Sequence, residues 1–254
     1  MRDRHQHALD VVTHLVMREV HLRYRRSLLG WMWVLAQPLA RFAVLAFVFT
    51  RVLPLDVPNY SVFLFSGLIG WLWFSSGLVS ATASAVERRD LLMRPGIPRL
   101  LIPVVSVLTD ATDYIAALPV LVVILLFSGG VPLTWLLLPV VMLPMFMLIL
   151  GLGYAFCAAN VYLRDVKILV TVATLLGFYV TPVFYPAEQV PEQYQWLLDL
   201  NPVAILLDLQ RAVLVDGIVP DLTQLALIFA ISGGVLFVGT AIYQRASRNF
   251  VDEL

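Results

Sequence analysis

The chain is poor in charge and nearly devoid of lysine and cysteine. Charged residues make up 13% of its 254 residues, roughly half of what a soluble globular domain carries. The apolar share is 60% and the mean hydropathy +0.87, more than a soluble core of this size can hide, so an ordinary soluble fold is excluded. Net charge is zero, and bulk electrostatics point to no polyanion and no nucleic-acid partner. The only cysteine, Cys157, lies in an apolar run. An intrachain disulfide is excluded, and cysteine usage says nothing of the redox compartment. The only lysine, Lys167, has no GxxxxGK[ST] context, so the chain is not expected to hydrolyse ATP alone. HExxH, GxSxG and CxxC patterns are missing; no catalytic residue and no cofactor of this chain's own is expected.

What is present in quantity is long apolar sequence. A spanning helix needs about 20 mainly apolar residues. Six segments qualify, at 31–53, 61–83, 103–127, 132–157, 167–186 and 221–243. Residues 1–30 carry too many charges for a secretory signal, so the first apolar run reads as a retained span. Pro103, Pro119, Pro139, Pro144 and Pro182 lie in or near spans, where neighbouring helices can satisfy the freed carbonyls. The expected fold is an all-α membrane protein with six transmembrane helices, organised as a single transmembrane domain over 1–254.

Lys and Arg give the orientation. Arg2, Arg4, Arg18, Arg23, Arg25 and Arg26 precede the first span, and Arg88, Arg89, Arg94 and Arg99 separate the second from the third. Arg164, Lys167, Arg245 and Arg248 lie on the same side, against only Arg51 and Arg211 on the other. Both termini are therefore expected in the cytoplasm, and the even span count agrees.

Three segments do not span. In residues 8–26, Leu9, Val12, Val16 and Val20 form a stripe opposite Asp10, His14, Arg18, His21 and Arg25. This reads as an amphipathic helix in the cytoplasmic interface or as a plain topology anchor. His5, His7, His14 and His21 are all here, but no Cys or carboxylate cluster supports a metal site, and none is expected. The loop at 84–102 has capping-box spacing at Ser84 and Glu87, which predicts a short helix to about Met93 with a charged face of Glu87, Arg88, Arg89 and Asp90. Such a helix docks a soluble partner, or it is a solvated loop obeying the positive-inside rule. The segment 187–220 is too apolar for a free loop. Asn201-Pro202 reads as an N-cap followed by Pro at the first helical position, with Asp208 and Arg211 spaced to pair. That helix is too short to span and is expected to dip into the outer half of the membrane.

Arg41 is the most informative residue. A charge at mid-span costs about 2.5–3.5 kcal/mol on insertion scales, so it should face a pore or a partner. Gln37 is one turn away on the same face. Arg41 either contacts an anionic or hydroxyl-rich substrate or pairs with an Asp or carbonyls of another span. Asp110 and Asp113 lie one turn apart and are expected to accept hydrogen bonds from protein, water or an arginine. Trp31, Trp33, Phe178, Tyr179, Phe184 and Tyr185 cluster near span ends with other aromatics. They form an interfacial belt, or line a pore and stack on sugar rings. Glycines recur at Gly67/Gly70/Gly77, Gly151/Gly153 and Gly233/Gly234/Gly239, the spacing of close helix packing.

Arg23-Tyr24-Arg25-Arg26-Ser27-Leu28-Leu29-Gly30, followed by Trp31, Trp33 and Pro38, resembles the entrance to the first span of polysaccharide ABC-exporter permeases of the Wzm/TagG/KpsM group. Ile97-Pro98-Arg99 resembles the element after their coupling helix, and Asn160-Val161-Tyr162-Leu163-Arg164-Asp165-Val166 the element before their fifth span. Pro182-Val183-Phe184-Tyr185, Asn201-Pro202 and Arg211 match further positions. The chain departs from the pattern with Gln37 in place of Asn before Pro38 and with Ile97 in place of an aromatic.

The resemblance implies a homodimer of six-span subunits in the bacterial plasma (inner) membrane. Each would pair with a separate ABC nucleotide-binding subunit that holds ATP and Mg, and export a polysaccharide such as O-antigen, or a teichoic acid, on an undecaprenyl-pyrophosphate lipid carrier. It implies a gate helix within 1–30, spans one and two over 31–83, a coupling helix in 84–102 and spans three to five over 103–186. Periplasmic gate helices at 187–220, span six at 221–243 and a cytoplasmic tail at 244–254 complete it. By resemblance, Arg41, Gln37, Trp31, Trp33, Phe178, Tyr179, Phe184 and Tyr185 lie at the channel, and Arg23, Arg25 and Arg26 at a pyrophosphate entrance. Glu87, Arg88, Arg89, Asp90 and Arg94 would couple to the ATPase. The rival readings are a small-lipid or drug ABC exporter, a membrane-embedded glycosyltransferase or phosphatase using Asp110 and Asp113, and a proton-coupled transporter.

Overall fold

Inside lipid the backbone must satisfy its own hydrogen bonds, which leaves helices or closed barrels. The computed structural model describes residues 2–24, 32–92 and 97–250, and among them every regular element is helical. Among the described residues, five helices are long and apolar enough to cross a membrane: Met32–Val52, Tyr60–Glu87, Leu101–Ser128, Leu133–Tyr162 and Leu222–Ala246.

Helix α1 (Arg2–Tyr24) packs beside α5 (Leu101–Ser128). Helix α2 (Met32–Phe47) carries Pro38 in its interior and ends in a widened π turn, Val48–Val52, where Thr50 donates back to the Ala46 carbonyl. Only Val34 and Pro38 of α2 are buried. Helix α3 (Tyr60–Glu87) is the hub, touching α2, α5, α6 (Leu138–Tyr162), α7 (Asp165–Val180) and α9 (Pro202–Arg211), and most of its side chains are buried.

The expected start of a coupling helix at Ser84 does not occur. Ser84 is buried inside α3 and donates to the Ala81 carbonyl at 2.7 Å. A serine whose hydroxyl is satisfied one turn back does not have to cap anything, and neighbouring helices cover α3 up to Ala85. The chain leaves α3 at Arg88, and the short helix that follows, α4, is only Arg89–Leu92.

Helix α5 starts with Pro103 in its first turn, where no amide partner is missed. It ends at Gly129 and Gly130, with φ of 135° and 108°. A 3-10 turn at Leu133–Leu137 leads into α6 (Leu138–Tyr162), against which α10 (Leu222–Ala246) lies along much of its length. Gly151 and Gly239 make that approach possible: a side-chain carbon on Gly151 would sit 2.6 Å from the Leu236 amide nitrogen. Gly234, of the same glycine group, faces open space.

Helix α7 (Asp165–Val180) occupies the expected fifth span, 167–186, but has only 16 residues. At 1.5 Å per residue it is about 24 Å long, against about 30 Å of hydrocarbon. It stops because Thr181 precedes Pro182 and takes the extended conformation that position favours. Asn160 links α6 to α7 by accepting the Lys167 amide at 3.0 Å.

The segment at 187–220 holds two short helices, α8 (Glu192–Asp199) and α9 (Pro202–Arg211), the latter running into a π turn at Ala212–Asp216. Asn201 caps α9 as its sequence predicts, accepting the Val203 amide at 3.0 Å. Helix α9 is buried against α3 and α6, whereas α8 exposes Tyr194 and Trp196.

Candidate functional site

Polar residues from four helices line one cleft. Helix α2 supplies Gln37 and Arg41, α3 supplies Ser75 and Ser76, α5 supplies Asp110, Asp113 and Tyr114, and α7 supplies Thr174. The cleft holds about 300 Å³. It adjoins a wider groove of about 650 Å³ walled by Val44, Trp71, Thr171, Leu175, Phe178 and Tyr179. Arg41, Ser75 and Thr174 line both, so Arg41 stands at the junction.

Trp33, Gln37, Arg41, Val44 and Phe47 are all exposed, at spacings that recur on one side of α2. The hydroxyls of the wall donate into their own helices. Ser76 reaches the Leu72 carbonyl at 2.6 Å, Thr171 the Lys167 carbonyl at 2.8 Å and Thr174 the Thr171 carbonyl at 3.0 Å. Their lone pairs remain for a ligand or water. Among the described residues Arg41 makes no ion pair.

The carboxylates of the cleft are held by a different arginine. Arg23 of α1 donates from Nη2 to Asp110 Oδ1 and from Nη1 to Asp113 Oδ2, both at 2.8 Å. Three residues apart on a helix, the two carboxylates present one face to the planar guanidinium. Asp110 is nearly buried, its side chain 3% exposed, while Asp113 and Arg23 are each 35% exposed. Asp110 Oδ2 and the Tyr114 hydroxyl have no partner among the described residues.

The charged residues beside α4 divide in two. Glu87 pairs with Lys167 at 2.6 Å, and Arg88 joins Glu19 of α1 at 3.4 Å while donating to Ser106 of α5. Arg89 and Asp90 are exposed. Trp31, Arg25, Arg26 and Arg94 lie outside the described residues.

At the far end of the groove the aromatics separate by role. Phe178 and Tyr179 line it. Phe184 stacks on Phe49 at 5.2 Å and packs on Phe178 at 5.4 Å, behind the wall. The Tyr185 hydroxyl donates to the Val180 carbonyl at 2.9 Å. The turn after α7 is pinned three times: Asn201 donates to Thr181 Oγ1 at 2.9 Å, Arg211 to the Val183 carbonyl at 2.7 Å and Tyr60 to the Phe184 carbonyl at 2.8 Å. Arg211 also meets Asp208 at 3.3 Å, the expected pair, and lies 3.9 Å from the centre of the Phe63 ring. Burial pushes its guanidinium down to about 10, so it remains charged at neutral pH.

The profile of the ABC-2 type transporter family matches residues 11–215. The chain belongs to this family. Its relatives match it nearly end to end. The O-antigen export system permease protein RfbA of Myxococcus xanthus is 32% identical, over 94% of this chain and 94% of its own. RfbA of Klebsiella pneumoniae is 27% identical over 96% of this chain and 95% of its own. The polysialic acid transport protein KpsM of Escherichia coli is 25% identical over 91% of each.

In this ABC-2 transporter chain, Gln37 and Arg41 line the cleft and Arg41, Phe178 and Tyr179 the adjoining groove, whereas Trp33, Phe184 and Tyr185 line neither. Sequence reasoning passed over Tyr114, Ser75 and Thr174. Their only signal is polar atoms recurring inside apolar runs, and Trp73 and Tyr114, with rings 5.3 Å apart, pack the cleft wall.

Proposed function

We propose that this chain is the permease subunit of an ATP-driven polysaccharide exporter, and that the groove centred on Arg41 is half of the export path. The observation that carries this reading is the continuity of the groove. The cleft, with polar residues from four helices, passes into the wider groove that ends at Phe178 and Tyr179, and the two share Arg41, Ser75 and Thr174. A glycan offers hydroxyls to Ser, Thr, Gln and Arg and apolar ring faces to aromatics. A small hydrophobic drug would leave Gln37, Arg41 and the hydroxyls of the cleft without partners. The carboxylates that an enzyme would use are already held by Arg23, which speaks against the glycosyltransferase or phosphatase reading.

On this reading both termini are cytoplasmic and the membrane is the bacterial inner membrane. Helix α7 and the pinned turn after it complete a sixth crossing. Two copies assemble, each with a separate ABC subunit that binds ATP and Mg. Exposed Arg89 and Asp90, with Arg94, meet that subunit, while Glu87 and Arg88 tie α4 to the permease. The substrate is a polymer on an undecaprenyl-pyrophosphate carrier. Its pyrophosphate meets Arg25, Arg26 and, once α1 has moved, Arg23. Trp31 and Trp33 line the approach, and α8 and α9 close the periplasmic end. The test is deletion of the gene. Lipid-linked glycan should accumulate in the cytoplasm and be exported again when the wild-type chain and its ATPase are restored. Undiminished export in the deletion strain would sink the reading.

A further inference from the structure

Two carboxylates line a cleft that also holds Arg41, and a second arginine, Arg23 of α1, holds both of them. Asp110 and Asp113 each bond Arg23 at 2.8 Å. Arg41 lines the same cleft, is exposed, and makes no ion pair among the described residues. The Asp110 side chain is 3% exposed, and its Oδ2 lacks a partner among the described residues. An ionised carboxylate that deep in a membrane helix depends on a nearby cation. Arg23, however, belongs to α1, a helix that meets the bundle mainly along α5 and bridges to it again through Glu19 and Arg88.

We infer that Arg41 is the alternative partner, and that Asp110 and Asp113 exchange Arg23 for Arg41 when α1 leaves α5. The exchange keeps two negative charges beside a guanidinium at each stage, so α1 undocks without stranding charge inside a span. It also joins two movements. With α1 docked, Arg41 stands at the junction of cleft and groove. With α1 released, Arg41 is drawn toward α5 and α2 follows it. Arg88 supplies the handle. It follows directly on α3, precedes α4, and holds Glu19 of α1 while bonding Ser106 of α5. A push on α4 is therefore felt by α1.

The inference concerns charge balance within the chain and does not depend on what the chain exports. Its test is the folded yield of the tagged full-length permease, extracted from its own membrane and read by fluorescence-detected size exclusion. Arg23→Gln and Arg41→Gln should each keep most of the yield, because the remaining arginine covers the carboxylates. The double variant Arg23→Gln/Arg41→Gln should lose about tenfold or more, far beyond the product of the single losses. Adding Asp110→Asn and Asp113→Asn to the double variant should restore it. The exchange is overturned if Arg23→Gln alone falls as far as the double variant, if the double loses no more than the product of the singles, or if neutral carboxylates bring no recovery.

Discussion

Arg41 and Arg211 are both cations within apolar surroundings, and their environments assign them opposite tasks. Arg211 is 5% exposed and is held by Asp208, the Val183 carbonyl and the Phe63 ring, with only its Nε left without a partner among the described residues. Arg41 is exposed in a groove among hydroxyls. Replacing Arg211 by Met leaves the buried Val183 carbonyl without its donor, which costs about 1–3 kcal/mol. Thermal melts in detergent should show Arg211→Met clearly less stable and Asp208→Asn close to wild type, since the Asp208 side chain is 53% exposed and Asn keeps an acceptor. Arg41→Ala should behave in the reverse manner. Insertion and complex assembly persist while export falls to background, measured as polymer reaching the outside of the cell. Normal export by that variant would remove Arg41 from the path. The Asp208–Arg211 pair was legible in the sequence because its partners are three residues apart. Arg23 and its carboxylates were only half legible. The need of Asp110 and Asp113 for an arginine could be read, but a partner 87 residues away is chosen by the packing of α1 on α5.

At the scale of elements, helix ends were the least readable feature. Four of the five long helices run past the segment their hydropathy suggests, α3 to Glu87 and the fourth to Tyr162. Apolar windows report what lipid would accept, whereas the helix ends where its neighbours stop covering it. Ser84 shows the difference, with the composition of a cap and the surroundings of a core residue. Asn201-Pro202 was readable because a cap followed by a proline fixes local geometry without help from tertiary packing. Glycine spacing predicted close packing, and α6 against α10 realises it at Gly151 and Gly239. Gly151→Val would press on backbone atoms that have no rotamer to move. Overpacking of that kind costs about 1–3 kcal/mol. The variant should melt earlier, whereas Gly234→Ala, with nothing near its side-chain position, should melt as wild type. Helix α4 presents Arg89 and Asp90 outward and buries Leu91 and Leu92. Reversing the exposed charges, Arg89→Glu with Asp90→Arg, should weaken co-purification of the ATPase while folded yield holds. Unchanged co-purification would place the ATPase contact elsewhere.

The whole molecule exposes apolar surface on several sides, and charge distinguishes one from the rest. Helix α10 is exposed at Phe237, Leu227 and Val238, with no ionisable group between Leu222 and Tyr243. That face suits lipid. Helices α2 and α7 are as bare, with Val44 63% and Leu175 61% exposed, but the groove between them carries Arg41. A charge at that depth is not left to hydrocarbon when protein can cover it. A second copy placed against the α2 and α7 face would enclose the groove between two half-channels and hold both Arg41 side chains in a polar lumen. The native chain lends itself to a direct check, because Cys157 is fully buried and adds no background to thiol chemistry. Val44→Cys and Leu175→Cys should each form a dimer in native membranes when a short thiol-specific linker is added, seen as a doubled mass on a denaturing gel. Phe237→Cys, 77% exposed on α10, should stay monomeric under the same treatment. If Phe237→Cys links and the other two do not, the dimer meets through α10. The Arg41 groove would then lie outside that interface and could not be enclosed by it.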